Sequence, residues 1–471
     1  MARDSTYDFI VIGAGAAGEA AAHEARRLGA SVLVVERELV GGSCPFWACM
    51  PSKALLHAAG IHHLGGDYSW RHASNFRDWI TSREHRKTSD DSGHIESLEK
   101  AGAKVAKGTA QVIGPGSVRI SSTGKAARNA KARNLIISVG THSTVPDLPG
   151  IDKIKPWTNR EATSTRSLPK SLLVMGGGPT GVELAGALGE IAKDTLKRDF
   201  RSIDPTHSRI ILVEAMDRVL PPYPKGRSAS ARRQLERLGV TVRTGTKVVG
   251  LDDRSVDLDV DGAMERLPTR TVLWAAGVQA STFGRVVAEA TGAETDRAGR
   301  IVVGPDLTLP GHPEIFDVGD VASRTWRQDR SVPGVAQGAI QGGNYAAETI
   351  GRRLRGEATP PFRYSNRGEV AIIGRLSGVT DIPWLGPFGR QGGFTAWLLW
   401  LGIHISYLIG FSNRLVVVTR WAWSFLTHGR SSRLITGQPL LPPIERPEPP
   451  AGSGAAAAPR PGSAAETAPP G

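Results

Sequence analysis

Two cysteines are the whole thiol content of this 471-residue chain, and they stand close together in Gly41-Gly-Ser-Cys44-Pro-Phe-Trp-Ala-Cys49-Met-Pro-Ser-Lys53. Two thiols at that spacing near a helix start can close to a disulfide and reopen, and a helix N-terminus favours the thiolate that performs the exchange. Two glycine fingerprints supply a second kind of chemistry. Gly13-Ala-Gly15-Ala-Ala-Gly18 precedes Glu36, and Gly176-Gly-Gly178-Pro-Thr-Gly181 precedes Glu183 and Glu214. Glycines at that spacing allow a tight turn and close approach of a pyrophosphate to a helix N-terminus, while the later acid accepts from a ribose hydroxyl. An acid at Glu214 also repels a 2′-phosphate, so NADH is expected rather than NADPH.

Elements of a fixed kind must hold these groups. The apolar run Phe9 to Ile12, the glycine turn, the Ala-rich stretch Ala16 to Leu28 and the run Ser31 to Glu36 predict strand, turn, helix and strand. The same order returns at Ser171 to Met175, Gly176 to Gly181, Val182 to Ile191 and Arg209 to Glu214, so two βαβ units are expected. A polar, helix-like excursion at Lys193 to Ser208 delays Glu214 in the second unit. A further strand is expected over Glu314 to Ser323, ending in Gly319-Asp320.

Composition fits this reading and excludes others. Apolar residues make up 40% and charged residues 22%, the values of a globular enzyme, and the length asks for two or three domains. The formal charge of +13 suits an anionic ligand or membrane surface; its basic residues are scattered and accompany no nucleic-acid motif. Nothing ahead of Tyr7-Asp-Phe-Ile-Val-Ile12 has the pattern of a secretory signal, so a cytosolic origin is expected, where a Cys pair is more often catalytic than structural. His57, His62, His63 and His72 lack accompanying Cys or carboxylate ligands, so no metal is expected.

Beyond Pro361 the character changes. Phe394 to Phe411 carries no formally charged residue, Leu415 to Leu426 carries only Arg420, and tryptophans stand at 397, 400, 421 and 423. With Arg414, Arg420, Arg430 and Arg433 and no acid between Phe394 and Gly437, this region suits the interface between water and anionic lipid. From Pro439 onward the Pro, Ala and Gly content predicts a disordered tail.

The two fingerprints, the intervening Ile136-Ile-Ser-Val-Gly140-Thr141 and the late Gly319-Asp320 resemble the FAD/NAD-linked reductase superfamily. The resemblance implies an α/β fold with two Rossmann-like domains, the NAD domain inserted into the FAD domain, and Asp320 on the ribityl chain of FAD. Residues 1 to 145 resemble dihydrolipoyl dehydrogenase and its relatives through the cysteine segment. That implies a redox-active Cys44/Cys49 disulfide beside the flavin and Lys53 of Pro-Ser-Lys paired with Glu183. Residues 157 to 437 resemble type II NADH:quinone oxidoreductase through Gly176 to Gly186, Val272-Leu-Trp-Ala-Ala-Gly277, Ala336-Gln337-Gly-Ala-Ile-Gln341 and Phe394-Thr-Ala-Trp-Leu-Leu-Trp400. That implies Gln337 and Gln341 at a quinone site.

The halves point to different acceptors. A disulfide reductase needs a proton donor and acceptor for its dithiol, which in that family is a C-terminal His followed by Glu; no such pair occurs here. The expected activity is therefore electron transfer from NADH through FAD to a membrane quinone, with an NAD(P)H-dependent disulfide reductase using Cys44 and Cys49 as the alternative. Catalytic residues are Cys44, Cys49, Lys53 and Glu183. FAD falls to Gly13, Gly15, Gly18, Glu36, Gly140, Thr141, Gly319 and Asp320, and NADH to Gly176, Gly178, Gly181, Glu214 and Gly277. The expected divisions are 1–155 and 291–365 for the FAD domain, 156–290 for the NAD domain, 366–437 for a helical membrane-anchoring region and 438–471 for the tail. Quinone and an anionic membrane surface are the expected partners, a homodimer is allowed, and the location is peripheral on the cytoplasmic side of the cell membrane.

Overall fold

Phe9, Ile10, Val11 and Ile12 are exposed by 3% or less, the burial of a parallel strand covered on both faces. They end β1 (Ser5–Ile12), which leads through the first glycine turn into α1 (Ala16–Arg27) and back to β2 (Val32–Glu36), with Phe9 opposite Val32 and Ile12 opposite Val35. The computed structural model describes residues 5–52, 54–55, 70–83, 89–166, 172–190, 209–327, 330–374 and 376–406. After β2 come the short α2 (Ser43–Trp47), then α3 (Trp70–Ile80) and α4 (Ser92–Lys100). Next, β3 (Lys104–Lys107) joins β2, and β4 (Thr109–Gly114) and β5 (Ser117–Ser121) lead to β6 (Arg128–Ile137), which lies parallel to β1. The chain leaves this sheet through β7 (Thr141–Ser143).

The second unit repeats the plan. After α5 (Asn159–Ser164) come β8 (Leu172–Met175), α6 (Pro179–Glu190), β9 (Ile210–Val213), α7 (Lys225–Arg237) and β10 (Val240–Arg243). Three antiparallel strands follow, β11 (Thr246–Leu251), β12 (Ser255–Val260) and β13 (Ala263–Pro268). Then β14 (Val272–Trp274) completes a parallel sheet of order β10-β9-β8-β14. The chain returns through β15 (Val278–Ala280), which pairs antiparallel with β7. The way out of the first unit and the way back are thus hydrogen-bonded to each other.

After α8 (Thr282–Thr291), β16 (Ile301–Val302) and β17 (Thr308–Leu309), β18 (His312–Asp317) enters the first sheet beside β6, giving the order β17-β18-β6-β1-β2-β3. The strand expected over Glu314 to Ser323 is two strands: β18 stops at Asp317, Gly319 at φ +78° opens a turn of 3-10 helix, and β19 (Ala322–Ser323) pairs separately with β16. A positive φ cannot continue a strand. A small hairpin of β20 (Thr325–Arg327) and β21 (Arg330–Ser331) precedes α9 (Ala336–Leu354).

Small residues bring α1 and α9 together. Ala17, Gly18, Ala21, Ala22 and Ala25 are buried on α1, and Gly342, Gly343, Ala346 and Ala347 on α9. A Cβ on Gly343 would run into the Ala17 carbonyl, so the backbones themselves touch. The hairpin of β22 (Glu369–Gly374) and β23 (Ser377–Asp381) lies on α6, where Gly186 has room for no side chain against the Ile373 carbonyl. The uncharged α10 (Phe394–Ser406) follows. Among the described residues no helix is long and apolar enough to cross a membrane. The architecture is mixed α/β, with a first sheet whose parallel core is edged by antiparallel β17 and by β4 and β5 and a second sheet that is all parallel, and the expected excursion Lys193 to Ser208, the apolar run from Leu415 and the tail lie outside the described residues.

Candidate active site

The first glycine turn opens between β1 and α1. Gly13 has φ +96°, and a Cβ there would meet the Ser138 carbonyl oxygen at 2.6 Å; a Cβ on Gly18 would strike the Gly13 carbonyl. Gly15, in contrast, has nothing within 4 Å of its absent side chain and stands at the N-cap of α1. Two glycines therefore close the turn and the third leaves open space over a helix N-terminus, an arrangement that admits an anion. Glu36, at the end of β2, accepts the Ala14 N–H at 2.7 Å and the Glu38 N–H at 2.6 Å.

The second turn has the same geometry. Gly176 has φ +108° and is closed off by the Ala275 carbonyl at 2.6 Å, Gly181 abuts the Gly176 carbonyl, and Gly178 faces open space. Glu214 follows β9 and accepts the Gly177 N–H at 2.5 Å and the Met216 N–H at 2.8 Å. Gly277, at φ +101° and with no neighbour within 4 Å, lies just past β14 beside this turn. Both cradles fit the pyrophosphate and ribose of a dinucleotide, because each combines a helix N-terminus, an unobstructed backbone and a carboxylate already held at the turn.

Gly140, Thr141, Gly319 and Asp320 converge on the rim of the first sheet. The Thr141 hydroxyl donates to Asp320 Oδ2 at 3.5 Å, and Gly319 sits 3.2 Å from the Ala17 side chain by its ideal Cβ. Burial raises the Asp320 carboxyl above the ordinary carboxylate range, against the lowering pull of the Thr141 hydroxyl and Arg300. Three residues earlier Asp317 is fully buried, neither of its oxygens has a hydrogen-bond partner among the described residues, and desolvation pushes it well up.

The cysteines flank a break. Cys44 is half-buried in the first turn of α2, whereas Cys49 is exposed and opens the helical turns that follow, with Ala48 (φ −130°, ψ −95°) bending the chain between them. The segment is gripped from α5. The Trp47 carbonyl accepts from Asn159 Nδ2 at 3.0 Å and from the Thr163 hydroxyl at 3.2 Å, and Arg160 lies 4.1 Å over the Trp47 ring while bonding Glu38 at 2.7 Å. A capping box of Thr158 and Glu161 fixes the start of α5. On the other side His94 packs against Phe46 and Gly41 and bonds Glu19 at 2.8 Å, which raises its pKa.

Glu183, on α6, accepts the Ile372 N–H of β22 at 3.3 Å. Its expected partner Lys53 lies outside the described residues. Buried Tyr223 faces the same quarter, and burial, with Glu369, Glu183 and Asp381, raises its hydroxyl far above its usual range. Gln337 and Gln341 are one turn apart at the start of α9 and both act as peptide partners. Gln337 donates to the Gly368 carbonyl and accepts the Arg367 N–H, at 3.2 and 3.1 Å; Gln341 donates to the Ser365 carbonyl and accepts the Ser365 N–H, at 3.1 and 2.9 Å. These amides hold the segment 365–368 that leads into β22.

In α10 the exposed face is Phe394, Thr395, Leu398 and Gly402, while Trp397 and Trp400 are half-buried, Trp397 stacking on Phe394 at 5.9 Å. The sequence had singled out the tryptophans, and the helix turns other residues outward. Sequence reasoning also passed over Asn159, Arg160, His94 and Asp317. The partners of Asn159, Arg160 and His94 lie tens of residues away and form no local pattern, while Asp317 follows the apolar pair Ile315-Phe316 at the end of its strand.

A family model described as pyridine nucleotide-disulphide oxidoreductase matches residues 7–343. The chain is similar to the type II NADH:quinone oxidoreductase Ndh of Mycobacterium tuberculosis, 44% identical over 270 residues that cover 56% of each protein. It is also similar to the dihydrolipoyl dehydrogenase of Chlorobaculum tepidum, 30% identical over 332 residues covering 67% of this chain and 66% of that one. The match thus spans little more than half the length of the quinone oxidoreductase. In fold it is similar to a Cu(II) complex of the HOCl-induced flavoprotein disulfide reductase RclA of Escherichia coli, at TM-score 0.62 and 18% identity, covering 80% of this chain and 77% of that one. With a family match that runs through both glycine turns, the chain belongs to the pyridine nucleotide-disulphide oxidoreductase family.

Proposed function

We propose that this enzyme takes two electrons from NADH and delivers them to a membrane quinone, with FAD held in the first cradle and NADH in the second. Bound FAD would accept the hydride of NADH and release its two electrons, so that NADH, a proton and a quinone give NAD⁺ and a quinol. The chain's own part is to hold and orient. Gly13, Gly15, Gly18 and Glu36, with Gly140, Thr141, Gly319 and Asp320, would seat FAD; Gly176, Gly178, Gly181, Glu214 and Gly277 would seat NADH. Glu183, with Lys53, would set the charge beside the reacting rings, and Gln337 and Gln341 would shape the quinone site.

The observation that carries this reading is the pair Gln337 and Gln341. They lie one turn apart on the helix that backs the Asp320 rim and clamp the segment 365–368 that leads into β22. The identity with the quinone oxidoreductases supports it. We propose 1–155 and 291–365 as the FAD domain, 156–290 as the inserted NAD domain and 366–437 as a membrane-associating region that leaves the enzyme peripheral on the cytoplasmic side.

The alternative, a disulfide reductase working through Cys44 and Cys49, is favoured by the exposure of Cys49. Steady-state rates of the purified flavoprotein with NADH separate the two. A short-chain soluble quinone is expected to turn over at least about tenfold faster than lipoamide or glutathione disulfide, and the reverse order would overturn the proposal.

A further inference from the structure

The chain between β23 and α10 lies inside the 366–437 region proposed as membrane-associating, where the sequence singled out none of its residues, and it carries the most exposed aromatic side chains among the described residues. Ile382-Pro-Trp-Leu-Gly-Pro-Phe-Gly389 contains no charge and no hydroxyl, and Trp384 is 66% and Phe388 79% exposed. Much of this segment forms a 3-10 turn, Pro383–Gly389, kinked at Gly386. Exposed large aromatics of this kind, grouped rather than scattered, mark an interaction surface.

Three features say what the surface is for. First, the loop is built to lose water. Ile382 N–H donates to the Gly389 carbonyl, Leu385 N–H to Ile382 and Arg390 N–H to Pro387, at 3.0, 3.1 and 3.3 Å, and Pro383 and Pro387 have no N–H. The indole N–H of Trp384 is already given to the Arg367 carbonyl at 3.1 Å, so its ring can enter an apolar medium without stranding that donor. Second, the loop continues into the exposed Phe394 and Leu398 of α10, and exposed Arg367 and Arg390 flank it, Arg390 bonded to Asp381. Apolar tips with basic flanks match an anionic lipid interface. Third, the loop adjoins the glutamine clamp. Arg367 receives the Trp384 indole on its carbonyl and gives its N–H to Gln337, and Ile340, 42% exposed, stands between the two glutamines.

We propose that Ile382–Gly389 is a lipid-docking loop that sets the mouth of the Gln337/Gln341 site in the bilayer interface, with Trp384 as its fixed post and Phe388 as its inserted side chain. The loop would then be a second point of attachment besides α10. This rests on the quinone reading for the purpose of the mouth, though not for the docking itself.

The test uses the full-length flavoprotein and vesicles of phosphatidylcholine with and without phosphatidylglycerol. Trp384→Ala/Phe388→Ala is expected to bind phosphatidylglycerol vesicles at least about tenfold more weakly than wild type, with the flavin absorbance band and Tm retained. Brominated lipid should quench part of the wild-type tryptophan emission, and Trp384→Phe, which keeps an aromatic ring, should remove that part while still binding. Phe388→Ser, a change at a side chain 79% exposed, gives the same direction of effect should the double variant not fold. Turnover with a long-chain quinone embedded in the vesicles should fall together with binding. Wild-type binding by the double variant and by Phe388→Ser overturns the docking loop, as does emission from Trp384 that brominated lipid leaves untouched. Absence of any quinone turnover in the wild type would instead overturn the quinone reading, and the vesicle measurements would still decide the docking.

Discussion

Glu214 stands to Gly177 as Glu36 stands to Ala14. Each carboxylate accepts the N–H of the second residue of a glycine turn, at 2.5 Å and 2.7 Å, and the N–H two residues beyond itself, in Met216 and Glu38. The acid therefore locks the turn and keeps lone pairs over with which to accept from a ribose hydroxyl.

Glu214→Arg is expected to shift the kcat/KM ratio towards NADPH by at least about tenfold, equivalent to roughly 1.4 kcal/mol. Loss of both turn bonds should lower the absolute rate with either nucleotide, so the ratio is the measurement that counts. An unchanged ratio would assign the ribose to another residue.

Asp317 should cost the protein stability. Its folded pKa is raised above the roughly 3.9 of an unfolded chain, so the native state holds the extra proton, and stability falls as pH rises from about 4 towards the folded pKa. Asp317→Asn is expected to remove that slope and to raise stability at pH 8 relative to wild type, because the amide cannot ionise there. Denaturant unfolding at pH 5 and pH 8 measures both; a slope that persists in the variant would place its source elsewhere.

The His94 and Glu19 pair has the same sign of pH dependence, but it stabilises at low pH where Asp317 costs stability at high pH. The histidine pKa is raised, first by the hydrogen bond to Glu19, against the opposing effect of burial. Its contribution is complete below the unfolded value of about 6.5 and is lost as pH rises through the higher folded value. Glu19→Gln should therefore lower Tm at pH 6 and leave it little changed at pH 9. Because Glu19 lies in the first turn of α1, FAD retention on a desalting column is expected to follow the same dependence.

Cys49→Ser is expected to leave quinone turnover above about half of wild type, since Cys49 is exposed on the far side of the bend at Ala48 and the quinone reading routes no electrons through it. Anaerobic titration with NADH should still bleach the flavin. Collapse of turnover with normal bleaching would move the acceptor site to the sulfurs.

Gly186→Val should separate the C-terminal hairpin from α6, because any side chain there meets the Ile373 carbonyl. A Tm several degrees lower and weaker protection of β22 amides in hydrogen exchange are the expected results. Gly402→Ala, at an exposed position of α10 with open space around it, should change neither.

Local pattern alone determined the two βαβ units, since a buried strand, a glycine turn and an Ala-rich helix are short-range consequences of burial and backbone sterics. Gly13, Gly18, Gly176 and Gly181 could be read as turn formers from spacing alone, and Glu36 and Glu214 as the acids facing them. What the sequence could not contain was the pairing of distant segments. That β7 would bond β15, that α9 would press its glycines onto α1, that α5 would grip the Trp47 carbonyl and that His94 would reach Glu19 all depend on contacts across 70 residues or more. The strand over Glu314 to Ser323 was misjudged because a single positive φ at Gly319 outweighs the apolar run around it. The outward face of α10 and the exposure of Trp384 and Phe388 were likewise decided by tertiary packing. Hydrophobicity alone says only that a residue seeks cover, and the fold decides which ones the protein's own core leaves uncovered.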